Sequence, residues 1–130
     1  MTQGARPDVV TLNVITGALA SRRDVRATYA FVAREFPRHE LLPDHHTVRH
    51  LVRMHADLGQ PDIAETVLRQ AEEHGHVANE HVFGSVIHAY SRANNLKRAV
   101  HLLQEMRARS LHCPDRYVQL LRMRMREHGV

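Results

Sequence analysis

The stretch HVFGSVIHAYSRANNLKRAVHLLQEMRARSLHCPD, residues 81–115, decides the fold. Its apolar residues form two groups, each spaced by three or four residues, as on one face of an α-helix. The first group comprises Phe83, Val86, Ile87 and Tyr90, and the second comprises Ala99, Leu102, Leu103 and Met106. The polar residues RANN at 92–95 separate the two groups. The stretch therefore predicts two amphipathic helices joined by a short turn.

Both groups recur elsewhere in the chain at steps of 35 or 36 residues. The counterparts of the first group are Leu12, Ile15 and Leu19, then Val48, Leu51 and Val52, and near the end Val118, Leu121 and Met125. The counterparts of the second group are Thr28, Phe31 and Val32, then Ala64, Val67, Leu68 and Ala71. Two helical patterns that stay in phase indicate stacked helical hairpins, so we expect these residues to form the core.

The predicted fold is therefore an all-α solenoid of about three helix-turn-helix hairpins with a further helix at the end. We assign residues 1–8 to an N-terminal extension, 9–44, 45–79 and 80–115 to three repeats, and 116–130 to a capping helix or partial repeat.

The dipeptide Pro-Asp stands at three of the seams, at 7–8, 43–44 and 114–115, and Ala78-Asn79 replaces it at the other seam. Proline cannot continue a helix, whereas Asp and Asn cap the start of the next one. We expect Asp44, Asn79 and Asp115 to act as caps. Asp115 can be counted as the last residue of the third repeat or the first of the tail, because the tail pattern lies 35 residues after Phe83.

The composition of the chain favours some classes of function and excludes others. A net charge of +4 and a pI near 10 favour a polyanionic partner. The single cysteine, Cys113, excludes an internal disulfide, and no apolar run approaches the length of a membrane span. The segment before Pro7 is too short for a signal or transit peptide. Twelve histidines are present, but we expect no metal site, since no set of four ligands has suitable spacing. We expect no cofactor, no small-molecule substrate and no catalysis.

The chain resembles the pentatricopeptide repeat family from residue 7 to residue 115. The matching segments are PDVVTLNVITGAL (7–19), HTVRHLVRMHADLGQPDIAETVLRQAEEHG (46–75) and the stretch at 81–115. Tetratricopeptide repeats instead carry a small residue where this chain has Thr16, Val52 and Ile87, which separates the chain from that family. A tetratricopeptide-like peptide binder is a third option. The resemblance implies a right-handed superhelix whose concave face, made by the first helices, reads single-stranded RNA at one base per repeat.

In that family, the base is read by the residue after the first buried apolar position and by the final residue of the repeat. The resemblance selects Asn13 with Asp44, Arg49 with Asn79, and Gly84 with Asp115. The first pair is typical of uracil recognition. Arg49 departs from the family pattern and Gly84 has no side chain, so one repeat of three has a readable pair.

Clustered arginines are the candidates for RNA phosphate contacts, with a solvated helix face as the other interpretation. They are Arg22 and Arg23 at the first turn, and Arg122, Arg124 and Arg126 in the tail. The resemblance implies a mitochondrial RNA or ribosomal RNA partner, with chloroplast as the alternative, and protein partners that cap the solenoid ends. The competing hypothesis is a structural subunit of a large mitochondrial assembly, for example the mitochondrial ribosome.

Overall fold

The computed structural model describes residues 7–129, and these contain seven α-helices and no strand. In chain order the helices are α1 (Val9–Ser21), α2 (Val25–Arg38), α3 (His45–Asp57), α4 (Pro61–Glu73), α5 (Glu80–Arg92), α6 (Leu96–Ala108) and α7 (Asp115–Glu127). Most of the predicted N-terminal extension, residues 1–6, and the last residue, Val130, lie outside the described part. The prediction of an all-α helical solenoid is confirmed.

The helices form two layers. Each odd-numbered helix packs against the next helix in sequence, as α1 does on α2, and also against the next odd-numbered helix, as α1 does on α3. The odd-numbered helices begin at residues 9, 45, 80 and 115, which reproduces the steps of 36 and 35 residues in the sequence. The first helices of successive hairpins therefore make one continuous layer, and α2, α4 and α6 make the other.

The apolar repeat fills the space between the layers. Val52, Ala64, Leu68, Phe83, Val86, Ile87, Ala99, Leu102, Met106 and Leu121 are all at most 1% exposed and belong to one core cluster. The prediction was wrong for Ile15, which is 40% exposed. Its counterparts Val86 and Leu121 are covered by the preceding hairpin, whereas no described helix precedes α1.

The seam residues cap the first helices, with one exception. Asp8 accepts from the backbone N–H of Thr11, Asn79 accepts from that of Val82, and Asp44 forms a reciprocal capping box with Thr47. Asp115 was expected to cap α7 but does not. Pro114 occupies the N-cap position and Asp115 is the first residue of the helix. No side-chain hydrogen bond caps α7 within the described part of the chain.

Charged side chains join the second and third hairpins on the side of the even-numbered helices. Arg69 of α4 makes two parallel hydrogen bonds to Glu105 of α6, at 2.6 and 2.7 Å, and Arg109 donates to Glu72 at 2.5 Å. Such forked arginine–carboxylate contacts fix orientation as well as distance. They hold the two hairpins in register. Across residues 7–129, no helix is both long and apolar enough to cross a membrane.

Candidate nucleic-acid interface

The exposed side of the odd-numbered helices carries four repeated positions that line grooves between successive helices. The positions are spaced i, i+4, i+7 and i+11, as one face of a helix requires. They are occupied by Val10, Val14, Gly17 and Ser21 on α1, by His46, His50, Arg53 and Asp57 on α3, and by His81, Ser85, His88 and Arg92 on α5. We call this surface the groove face.

Asn13 of the predicted reading pair lines the groove between α1 and α3, and Asp44 is bonded to it. Asn13 Nδ2 donates to Asp44 Oδ1 at 2.8 Å, and Thr47 Oγ1 donates to Asn13 Oδ1 at 2.5 Å. Asn13 is only 6% exposed, yet it lines the groove, whose volume is about 540 Å³. The structure thus places Asn13 and Asp44, the pair selected by the family resemblance, in direct contact.

The same hydrogen bonds fix the chemistry of the pair. Burial alone would raise the pKa of Asp44, but the hydrogen bonds from the Asn13 amide and from the backbone of Thr47 and His46 hold that pKa below its usual value. The carboxylate is therefore ionised at neutral pH. One N–H of the Asn13 amide is committed to Asp44, and the second has no hydrogen-bond partner among the described residues. The pair can offer a donor and a carboxylate acceptor side by side.

The second predicted pair is less well defined. Arg49 is exposed and lines a groove between α3, α5 and α7, whereas Asn79 is committed to capping α5 through the N–H of Val82. No hydrogen bond joins Arg49 to Asn79 among the residues described. Arg49 has reach and charge, so it can contact a phosphate as readily as a base edge.

At the third predicted pair, a neighbouring ring occupies the place of the missing side chain. A Cβ atom added to Gly84 would lie 2.2 Å from a ring carbon of Tyr117, so the Tyr117 ring lies directly on the Gly84 backbone. Asp115 is exposed in the first turn of α7. A tyrosine of α7 therefore covers the position at which the third repeat has only a glycine.

The five arginines predicted to contact phosphates do not line the grooves. Arg22 and Arg23 are exposed in the turn between α1 and α2, and Arg122 and Arg126 are exposed on α7. Arg124 donates to the Asn94 side chain at 3.1 Å. The sequence prediction missed Arg53, Arg92 and Tyr117, which do line the grooves. The signal for Arg53 and Arg92 is their place in the repeat, because both occupy groove-face positions on successive first helices.

Two groove histidines are held neutral at pH 7. Burial lowers the pKa of His50 and of His88, and the nearby guanidinium groups of Arg49 and Arg92, respectively, lower each further. The permanent positive charge of the groove face therefore comes from arginine. No group of three or more His, Cys, Asp or Glu residues within the described chain is placed to hold a metal ion.

The layered hairpins and their groove face define the chain as a helical-repeat protein with an open binding surface. The sequence model of the family described as "Pentatricopeptide repeat-containing protein" matches residues 46–128. This match covers more than half of the chain, so the protein belongs to the pentatricopeptide repeat family.

Solved structures share the fold at low sequence identity. The chain superposes on the pentatricopeptide repeat protein PPR10 from maize with a TM-score of 0.80 at 14% identity, over 98% of this chain and 18% of that one. For PPR10 in complex with an 18-nt psaJ RNA element, the TM-score is 0.82 at 15% identity, over 94% and 18% of the two chains. Nuclear proteinaceous RNase P 2 from A. thaliana gives 0.67 at 15% identity, over 93% and 27%. The chain thus spans about a fifth of PPR10. No curated protein gives a significant match.

Proposed function

We propose that the protein binds single-stranded RNA on its groove face, without catalysing a reaction. The observation that carries this proposal is the hydrogen bond between Asn13, which lines the α1–α3 groove, and Asp44, the N-cap of α3. An amide donor beside an ionised carboxylate can pair with the edge of an unstacked base. The structural likeness to PPR10, which was solved in complex with an 18-nt psaJ RNA element, supports RNA binding.

One reading pair is too little for a stable complex. A stacked base contributes roughly 1–3 kcal/mol, whereas a micromolar complex needs about 8 kcal/mol. We infer that other contacts supplement it, and that the protein works within a larger ribonucleoprotein. Its RNA partner is then an organellar transcript or ribosomal RNA. The compartment is the mitochondrion, with the chloroplast as the alternative, and this placement rests on the family resemblance.

The test is fluorescence anisotropy with labelled 18-nucleotide oligo-U, oligo-A and oligo-C. We expect oligo-U to bind most tightly, and Asn13→Ala to remove that preference. Gln70→Ala is the matched control, because Gln70 has the same side-chain amide and is exposed on α4, in the opposite layer. A preference for oligo-U that persists in Asn13→Ala would contradict base reading by this pair.

A structural role in a large mitochondrial assembly, for example the mitochondrial ribosome, is the second candidate. An apolar groove of about 710 Å³ at the end of the solenoid favours it. Leu96, Val100 and Met125 contribute its apolar surface, where protein partners could cap the solenoid. Val100→Glu should then release the protein from large complexes on a sucrose gradient and leave its RNA affinity unchanged. Unchanged sedimentation would contradict this role.

A further inference from the structure

The groove face differs in charge between its two ends. The α1–α3 groove is lined by valine, glycine, serine, asparagine and histidine, with no arginine. The two grooves formed where α3, α5 and α7 meet share Arg53, Ser85, Arg116 and Tyr117 as walls. Arg92 also lines one of these grooves and Arg49 lines the other. Together the two grooves have four arginines and one acidic residue, Asp57. Positive charge is thus concentrated at one end of the face.

The arginines belong to three different helices and converge on one hollow. Arg53 projects from α3, Arg92 from the last turn of α5, and Arg116 from the first turn of α7. The hollow they line has a volume of about 300 Å³, at the lower end of the range for ligand pockets of about 300–1,000 Å³. Among the described residues Arg92 forms no ion pair, and Arg53 has only a loose contact with Asp57 at 3.7 Å. Most of the guanidinium donors are available to a ligand.

Tyr117 gives the hollow a flat wall. Its ring lies on the Gly84 backbone, with the Arg116 guanidinium 4.8 Å from the ring centroid. Arg116 also donates to His81 Nδ1 at 3.0 Å, which fixes its orientation. The His88 ring stands edge-on to Tyr117 at 6.0 Å, and its Nδ1 atom is buried without a hydrogen-bond partner.

We propose that this hollow is a phosphate-binding subsite, in which Arg53, Arg92 and Arg116 hold a phosphodiester of the RNA strand beside the Tyr117 ring. Guanidinium groups pair with phosphate oxygens in forked geometry, and the Tyr117 ring supports one of them by lying against the Arg116 guanidinium. An acidic peptide would use the same arginines, but Arg53 and Arg92 stand on the groove face, along which the proposed RNA strand lies. The inference rests on the proposed RNA binding and deepens it: one end of the groove face reads a base and the other holds the backbone.

The experiment compares affinity and its salt dependence for oligo-U and oligo-A across matched variants. Arg53→Gln, Arg92→Gln and Arg116→Gln are made singly and together. Arg34→Gln on α2 is the control, since its side chain is 66% exposed on the opposite layer. Tyr117→Leu tests the support that the ring gives to Arg116 without removing a charge. Circular dichroism and thermal unfolding confirm that each variant folds.

The expected results follow from counterion release. Each single change should weaken oligo-U and oligo-A alike, by about three- to tenfold, and reduce the slope of log affinity against log salt by about 0.7. The triple variant should reduce that slope by about 2. Arg34→Gln should leave the slope unchanged. Tyr117→Leu should weaken binding with little change in slope, because Arg116 keeps its charge but loses its contact with the ring.

Four results would overturn the inference, and they are distinguishable. If the unmodified protein binds RNA and the triple variant keeps its affinity and slope, the subsite is absent while RNA binding stands. If oligo-Glu of equal charge competes as well as oligo-A, the hollow is an acidic-peptide site. No RNA binding by the unmodified protein at low salt would reject both RNA binding and the subsite. Competition by inorganic phosphate at millimolar concentration, with no loss of affinity in the variants, would indicate a free-anion site instead of an RNA contact.

Discussion

Acidification should weaken the contact between the second and third hairpins through Glu65. This α4 side chain is buried, with 8% of the residue exposed, and its Oε1 accepts hydrogen bonds from the Tyr90 hydroxyl at 2.7 Å and from Arg98 Nε at 2.9 Å. Burial alone would raise the pKa of Glu65. The hydrogen bonds from Arg98 and Tyr90, with the nearby positive charge, outweigh burial and lower that pKa from 4.5 to about 2.

The direction of the shift sets the pH range of the effect. With a pKa lower in the folded state than in the unfolded chain, Glu65 holds fewer protons when folded. Its stabilisation is complete well above pH 4.5 and is lost as the pH falls through 4.5 towards about 2. At about 1.36 kcal/mol per pKa unit, the whole shift corresponds to roughly 3 kcal/mol. The Arg98 side chain is 36% exposed, so water screens the pair and we expect about 1–2 kcal/mol.

Urea unfolding followed by circular dichroism at pH 7, 4 and 2.5 measures this contribution. Glu65→Gln should be less stable than the unmodified protein by about 1–2 kcal/mol at pH 7, and the difference should close by pH 2.5. Glu73→Gln, an exposed change on the same helix, should show no difference at any pH. If the difference in the free energy of unfolding is the same at pH 2.5 as at pH 7, the reasoning is refuted. The difference would then come from side-chain packing and not from the charge of Glu65.

Three further predictions concern packing, reactivity and capping. Gly84→Ala should destabilise by about 1–3 kcal/mol, since its Cβ meets the Tyr117 ring. In a Tyr117→Ala background the same change should instead stabilise by up to about 1 kcal/mol; equal thermal shifts in both backgrounds would contradict the contact. Burial raises the pKa of Cys113 to about 11, so its thiol should resist a disulfide reagent at pH 8 until urea is added. Rapid modification of the folded protein would count against that burial. Asp44→Ala should cost about 1–2 kcal/mol in urea unfolding through loss of the α3 cap, and an unchanged midpoint would argue against the capping box.

The fold was predictable because two helical patterns repeat in phase. Phe83 and Leu102 identify the two helices of one hairpin, and their counterparts 35 and 36 residues away place the others. Periodicity shows which face of a helix is apolar, but it does not show whether a neighbour covers that face. Ile15 has the core spacing and is exposed because no described helix packs against it.

The reading pair was predictable only through the family resemblance. Asn13 and Asp44 are 31 residues apart, and their contact depends on how α1 and α3 stack. Nothing in the local sequence indicates that Thr47 completes the network. The family's rule for the first helix and the repeat end supplied what spacing alone could not.

The cationic end of the groove face escaped prediction because it is assembled from three helices. The arginines at 122–126 form a local cluster in the sequence, yet they do not line the grooves. Arg53, Arg92 and Arg116 are scattered in sequence and meet only through stacking. Tyr117 over Gly84 is a further case, since a missing side chain at one position was replaced by a ring from the next helix.

Photocrosslinking tests the central claim most directly, because it reports which helices touch RNA. Oligo-U carrying 4-thiouridine is irradiated with the protein at low salt, and the crosslinked peptides are identified by mass spectrometry. The account predicts crosslinks to the odd-numbered helices, at His46 and His50 in the α1–α3 groove and at Tyr117 in the α3–α5–α7 hollow. Crosslinks confined to α2, α4 and α6, with the groove residues unlabelled, would contradict it.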